Sequence, residues 1–138
     1  MQLLARLFAP TTEVSAHCDL PCGVYDPAAA KYEATSVKAI IGKYNDSTDE
    51  AFRARALVIK EERSDLVKHH LWVLWTDYFK PPHFEKYPQL HGLFNEATKL
   101  AGGGGGTKSS TDAAVADQLL AKIDEISDIF WETKKAAA

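Results

Sequence analysis

The residues with most chemistry to offer are His17, Cys18 and Cys22, one imidazole and two thiols within a six-residue span. They include the only two cysteines of the 138-residue chain. The Cys-x3-Cys spacing differs from the Cys-x2-Cys of zinc ribbons and thioredoxins, and no second pair exists. A disulfide or two idle thiols is one reading. A tetrahedral zinc site is another, and it needs a further ligand from His69, His70, His83 or His91. A third opens if the chain begins at His17. The free amine and the deprotonated Cys18 amide nitrogen then close one five-membered chelate ring, and that nitrogen and the Cys18 sulfur close a second. The turn at Pro21 can bring the Cys22 sulfur to the fourth corner. Two nitrogens and two sulfurs in a plane suit Ni(II) or Cu(II) and do not suit zinc. The His17 imidazole can reach an axial position through a six-membered ring with its own amine. Anionic sulfur and amide donors stabilise a higher oxidation state, so this donor set suits redox chemistry.

These residues need elements to hold them. Residues 17–26 cannot form a regular element, because Pro21 and Gly23 punctuate them. Asp26-Pro27 reads as a helix start, with Asp as cap and Pro in the first turn. The alanine-rich stretch that follows carries helix to about residues 42–44. Ser47 and Glu50 have capping-box spacing and open a long helix over about residues 48–79. Its three-four row is Phe52, Ala56, Ile59, Arg63, Leu66, His70, Val73 and Asp77, broadened by Leu57, Leu71, Trp72, Leu74 and Trp75. Pro81-Pro82 stops it. Residues 83–88 form a connection, and Pro88 opens a helix over about 88–101 through Leu90, Leu93, Phe94, Ala97 and Leu100. Five glycines, 102–106, cost too much backbone entropy to stay ordered without partners. With residues 107–110 they predict a flexible linker rather than a phosphate cradle, since no strand precedes them. Val115, Leu119, Ile123, Ile126 and Phe130 stripe a last helix over about 111–134. The tryptophans are expected in the core or at an interface. The expectation is an all-α, up-and-down four-helix bundle preceded by an N-terminal metal-binding hook.

Composition narrows the function classes. The net charge of −3, from 16 Lys+Arg against 19 Asp+Glu, argues against a nucleic-acid or membrane-surface binder. No apolar run approaches a membrane span. Residues 1–16 hold an apolar patch (Leu3, Leu4, Leu7, Phe8) interrupted by Arg6 and ended by Pro10. With no basic region before the patch this is a weak secretory signal, although Val14-Ser15-Ala16 has the small residues of a cleavage site. A removable pre-segment and a retained terminus are the competing readings.

The string His17-Cys18-Asp19-Leu20-Pro21-Cys22-Gly23-Val24-Tyr25-Asp26-Pro27 resembles the nickel hook of the nickel-containing superoxide dismutases. The resemblance continues through Val58-Ile59-Lys60-Glu61, Lys68-His69-His70, residues 74–88 and residues 129–135. It implies a four-helix bundle that assembles as a homohexamer. It also implies disproportionation of superoxide to dioxygen and hydrogen peroxide with nickel cycling between Ni(II) and Ni(III). A maturation peptidase is implied to remove residues 1–16, leaving residues 17–138 with the hook at 17–25 and the bundle at about 27–135. The implied ligands are the His17 amine and imidazole, the Cys18 amide and thiolate, and the Cys22 thiolate. Glu33 and Arg63 are implied to orient the imidazole, and Tyr25 to guard the open face. The expected setting is cytoplasmic, with neither nucleic acid nor membrane as partner. A metal carrier without turnover, or a helical bundle with a redox-sensing cysteine pair, are the rivals.

Overall fold

The computed structural model describes residues 23–137, and these form α-helices with no strand among them. The helices are α1 (Ala28–Asp46), α2 (Glu50–Val73), α3 (Pro81–Lys86), α4 (Leu90–Leu100) and α5 (Ala113–Ala137). Helices α1, α2, α4 and α5 make the expected bundle. The α1–α2 connection is only residues 47–49 long, which forces the two into antiparallel neighbours. Helix α5 packs on α1 and α4, and α4 also meets α2.

The helix starts follow local chemistry. Asp26 Oδ1 accepts the Ala28 N–H at 2.8 Å, immediately before α1. The cap of α2 is Asp49, not Ser47: its Oδ1 accepts from the N–H groups of Ala51 and Phe52. Ser47 instead accepts the Asp49 N–H in the turn before it. The long helix expected to reach residue 79 changes form at its end. Leu74–Tyr78 is a π-helical turn, closed by an i→i+5 bond from Phe79 N–H to the Leu74 carbonyl at 3.0 Å. Part of the expected connection at 83–88 is helical too, as α3.

The buried row of α2 is Ala56, Lys60, Ser64, Val67 and Leu71, not the row through Phe52 and Arg63. Phe52 is exposed, and Arg63 lies on the flank of the buried face. A polarity-based reading passes over Lys60 and Ser64 because their partners are invisible in one dimension. Lys60 is 2% exposed. Its ammonium donates to the carbonyls of Thr107 (2.5 Å), Lys108 (2.9 Å) and Ser110 (2.8 Å). Burial holds this amine below the ordinary lysine value, with Glu61 opposing. Ser64 Oγ meets Thr107 Oγ1 at 2.7 Å.

The glycine run therefore has partners, and the expectation of an unpartnered linker is corrected. The Thr107 N–H donates to the Leu100 carbonyl at 2.7 Å and the Lys108 N–H to the Gly102 carbonyl at 3.2 Å. At Gly106 a Cβ would lie 2.4–2.6 Å from the carbonyl oxygens of Lys99, Leu100 and Gly102. That close approach is open only to glycine.

The main core joins Val67, Leu71 and Leu74 to Leu90, Leu93, Phe94 and Ala97, and to Leu119, Ile123, Ile126 and Phe130. A smaller cluster of Val37, Ile41 and Ala116 closes the other end of α1 against α5. Trp72, Trp75 and Trp131 are 41–48% exposed and are not core residues.

Candidate functional site

His17, Cys18 and Cys22 lie outside the described residues, as do residues 1–16. What can be described is the apparatus directly after them. Gly23 adopts φ +72°, a left-handed turn that favours glycine. It is followed by Val24 and Tyr25, and α1 begins three residues after Tyr25.

The Tyr25 ring is half-buried and packs on Tyr78, centroids 5.7 Å apart. Tyr78 belongs to the π-helical turn and is the hub of an aromatic cluster. It stacks on His83 at 5.7 Å and packs on Phe130 at 4.3 Å and Phe79 at 4.9 Å. Its hydroxyl meets Thr133 Oγ1 at 2.7 Å, and Thr133 Oγ1 in turn donates to the Phe130 carbonyl at 2.7 Å. Thr133 spends its proton on that carbonyl, so the Tyr78 hydroxyl is the donor of the pair. The ring under Tyr25 is thereby fixed from α2's end, α3 and α5 together.

Glu33 and Arg63, thirty positions apart, are brought together by the packing of α1 on α2. Arg63 Nη1 donates to both carboxylate oxygens, at 3.2 and 3.3 Å. The Glu33 side chain is 19% exposed and that of Arg63 40%. Glu33 stands five residues into α1, roughly 7–8 Å along the axis from the helix start. Glu33 and Arg63 therefore meet in the first third of α1, and Tyr25 lies just before that helix on the Tyr78 cluster.

The histidines considered as remote zinc ligands have other engagements. His83 Nδ1 accepts the Lys80 N–H at 3.1 Å. Burial, and then the Lys80 charge, hold its imidazole below the ordinary histidine value. His91 Nδ1 accepts the Trp75 indole N–H at 3.1 Å, and its ring stacks on Phe84 at 4.0 Å. His69 and His70 pair edge to face. Among the described residues no group of three His, Cys, Asp or Glu converges as a metal site. Lys80 is exposed, and its ammonium donates to the Asp77 carbonyl at 2.8 Å.

Sequence reasoning passed over Tyr78, Thr133 and Lys60. The available signal for Tyr78 was aromatic density, Tyr78-Phe79 with His83-Phe84 across Pro81-Pro82. For Lys60 and Ser64 it was their four-residue spacing from Ala56 and from each other, inside a buried row.

The profile of a family described as nickel-containing superoxide dismutase matches residues 12–134. A superoxide dismutase [Ni] of Streptomyces seoulensis is 60% identical over 134 residues, covering 97% of this chain and 100% of its own length. Its counterpart in Streptomyces coelicolor is 58% identical over the same coverage. A crystal structure of Ni-containing superoxide dismutase, with nickel ligation corresponding to the oxidised state, superposes with a TM-score of 0.82 at 60% identity. It covers 86% of this chain and 99% of that one.

Proposed function

The chain belongs to the family of nickel-containing superoxide dismutases, and we propose on that premise that His17, Cys18 and Cys22 hold the nickel once the chain is cut before His17. It is an oxidoreductase with nickel as cofactor and superoxide as substrate. The donor set fits that ion: two soft thiolates, an amine and an anionic amide nitrogen are donors that nickel would accept. Nickel bound there would supply one-electron exchange with superoxide, between Ni(II) and Ni(III).

The chain's own residues do the rest. The His17 amine and imidazole, the Cys18 amide nitrogen and thiolate, and the Cys22 thiolate are the donors. Glu33, itself held by Arg63, accepts the distal N–H of the His17 imidazole and fixes that ring's direction, as anchored partners of ligating histidines do. Tyr25 stands at the open face and offers its phenol to the incoming anion. Tyr78 keeps the Tyr25 ring in place. The balance is two superoxide ions and two protons giving one dioxygen and one hydrogen peroxide. The thiolates must be screened from that peroxide, which carries an exposed thiolate past the reversible sulfenic acid to irreversible sulfinic and sulfonic acids.

The observation that carries this reading is the Glu33–Arg63 pair. Exposed ion pairs contribute only ~0–1 kcal/mol, so stability alone is a thin reason for this carboxylate and guanidinium to meet between α1 and α2. The reading extends to a cytoplasmic homohexamer matured by a peptidase that removes residues 1–16. The test is superoxide consumption by nickel-loaded chains that start at Met1 and at His17. An uncut chain has an amide nitrogen instead of an amine at His17, so activity is expected from the second alone. Equal activity from both overturns the amine ligand.

A further inference from the structure

The Glu33–Arg63 pair cannot aim itself. Its bonds are 3.2–3.3 Å long and Arg63 is 40% exposed, so it contributes ~0–1 kcal/mol at most. Among the described residues Glu33 is the only side-chain partner Arg63 has. Its position must come from the helix that carries it.

In that part of α2 the fully buried positions are polar, with Ile59 and Leu66 only half-buried. Between Ala56 and Val67 the buried residues are Lys60 and Ser64. Both are tied to the α4–α5 loop by their polar groups. Lys60 gives its three N–H donors to the carbonyls of Thr107, Lys108 and Ser110. Ser64 pairs with Thr107 Oγ1, and Asp65 forms an ion pair with Lys108. Hydrogen bonds to a charged group contribute ~1.5–3 kcal/mol each, well above the ion pair. The loop is itself pinned to the last turn of α4, through the Thr107 N–H on the Leu100 carbonyl and the close approach at Gly106. Arg63 sits inside this stretch of residues 60–65, pointing the other way, to α1.

We propose that the α4–α5 loop is the positioning element of Arg63, with Lys60 and Thr107 as the positioning residues that seat α2 so that Arg63 meets Glu33. The functional half of this rests on the reading that Glu33 and Arg63 orient the His17 imidazole. The loop acts through main-chain carbonyls and one hydroxyl, so it touches neither substrate nor nickel.

The test uses the processed, nickel-loaded protein and three variants. Thr107→Val removes the hydroxyl at nearly constant shape, Thr107→Ser keeps it, and Arg63→Met removes the guanidinium. Two signals are read: rotation of the Arg63 guanidinium from its Nη resonances, and the nitrogen hyperfine splitting that an imidazole ligand would give the oxidised metal. In Thr107→Val, guanidinium rotation is expected to quicken by about threefold, within the ~0–1 kcal/mol such a pair carries, and the splitting to broaden. Thr107→Ser is expected to restore both signals. Unchanged Arg63 signals in Thr107→Val overturn the proposal. If Thr107→Val moves the resonances while Arg63→Met leaves the splitting intact, the loop's hold on Arg63 stands and the functional half of the proposal, the role of the pair at the imidazole, is overturned. If Arg63→Met alters the splitting and Thr107→Val alters neither signal, only the loop's role is lost.

Discussion

Replacement of Gly106 by alanine is the sharpest structural perturbation available in this chain. The added Cβ would lie 2.4 Å from the Lys99 oxygen, 2.5 Å from that of Leu100 and 2.6 Å from that of Gly102. Each is inside the 3.0 Å below which real Cβ contacts essentially do not occur. All three atoms are main chain, so no side chain can swing aside. Overpacking costs roughly 1–3 kcal/mol, and with a rigid surround the expected cost is about 3 kcal/mol. At about 3–5 °C per kcal/mol for a chain of this size, the melting temperature falls by about 10–15 °C. The internal control is Gly104→Ala, two residues away. That position is exposed with nothing within 4 Å of a Cβ, so the change is neutral or stabilises by up to ~1 kcal/mol through the unfolded chain. The assay is thermal and urea denaturation at matched protein concentration, because assembly couples to stability. Equal melting temperatures for the two variants would refute the argument that this loop is packed on the end of α4.

Further outcomes follow from other contacts. Tyr78→Phe removes the hydroxyl that meets Thr133 and is expected to cost about 1 kcal/mol in urea denaturation; no loss would contradict the bond. Glu33→Gln or Arg63→Met should change stability by under ~1 kcal/mol yet lower turnover roughly 10–100-fold, the range for partners of metal-ligating groups. A turnover loss no larger than the stability change would argue against their role. His83 titrates below its ordinary value in the folded chain, so below about pH 6.5 the unfolded chain binds more protons. Its contribution is full above pH 6.5 and is lost as pH falls through the folded value. His83→Asn, which keeps an acceptor near the Lys80 N–H, should flatten that slope in urea midpoints; an unchanged slope would remove His83 as its source.

Much of this architecture is legible in one dimension. The stripe Leu119, Ile123, Ile126, Phe130 is fully buried, because apolar periodicity and burial are the same signal on an amphipathic helix. Leu90, Leu93, Phe94 and Ala97 behave likewise. The failures have a common cause. The row of α2 was misplaced because its buried positions include a lysine and a serine, satisfied by carbonyls and a hydroxyl more than forty residues away. The same unseen partners made the glycine run look free. The π-helical turn before Pro81-Pro82 reflects how the helix ends against Tyr78's neighbours, which local propensity does not encode. Glu33 and Arg63 were reached by resemblance, since each alone reads as an ordinary helix residue, and the packing of α1 on α2 brings them together.

The central claim concerns where nickel is held, and its most direct measurement is metal content. The chain starting at His17 is loaded with nickel, freed of excess metal and compared with its Cys18→Ser and Cys22→Ser variants by elemental analysis. The account predicts about one nickel per chain in the parent and loss of nickel in each variant, with the fold retained, since the helical bundle is built from residues beyond the hook. Full nickel content in either variant would contradict it.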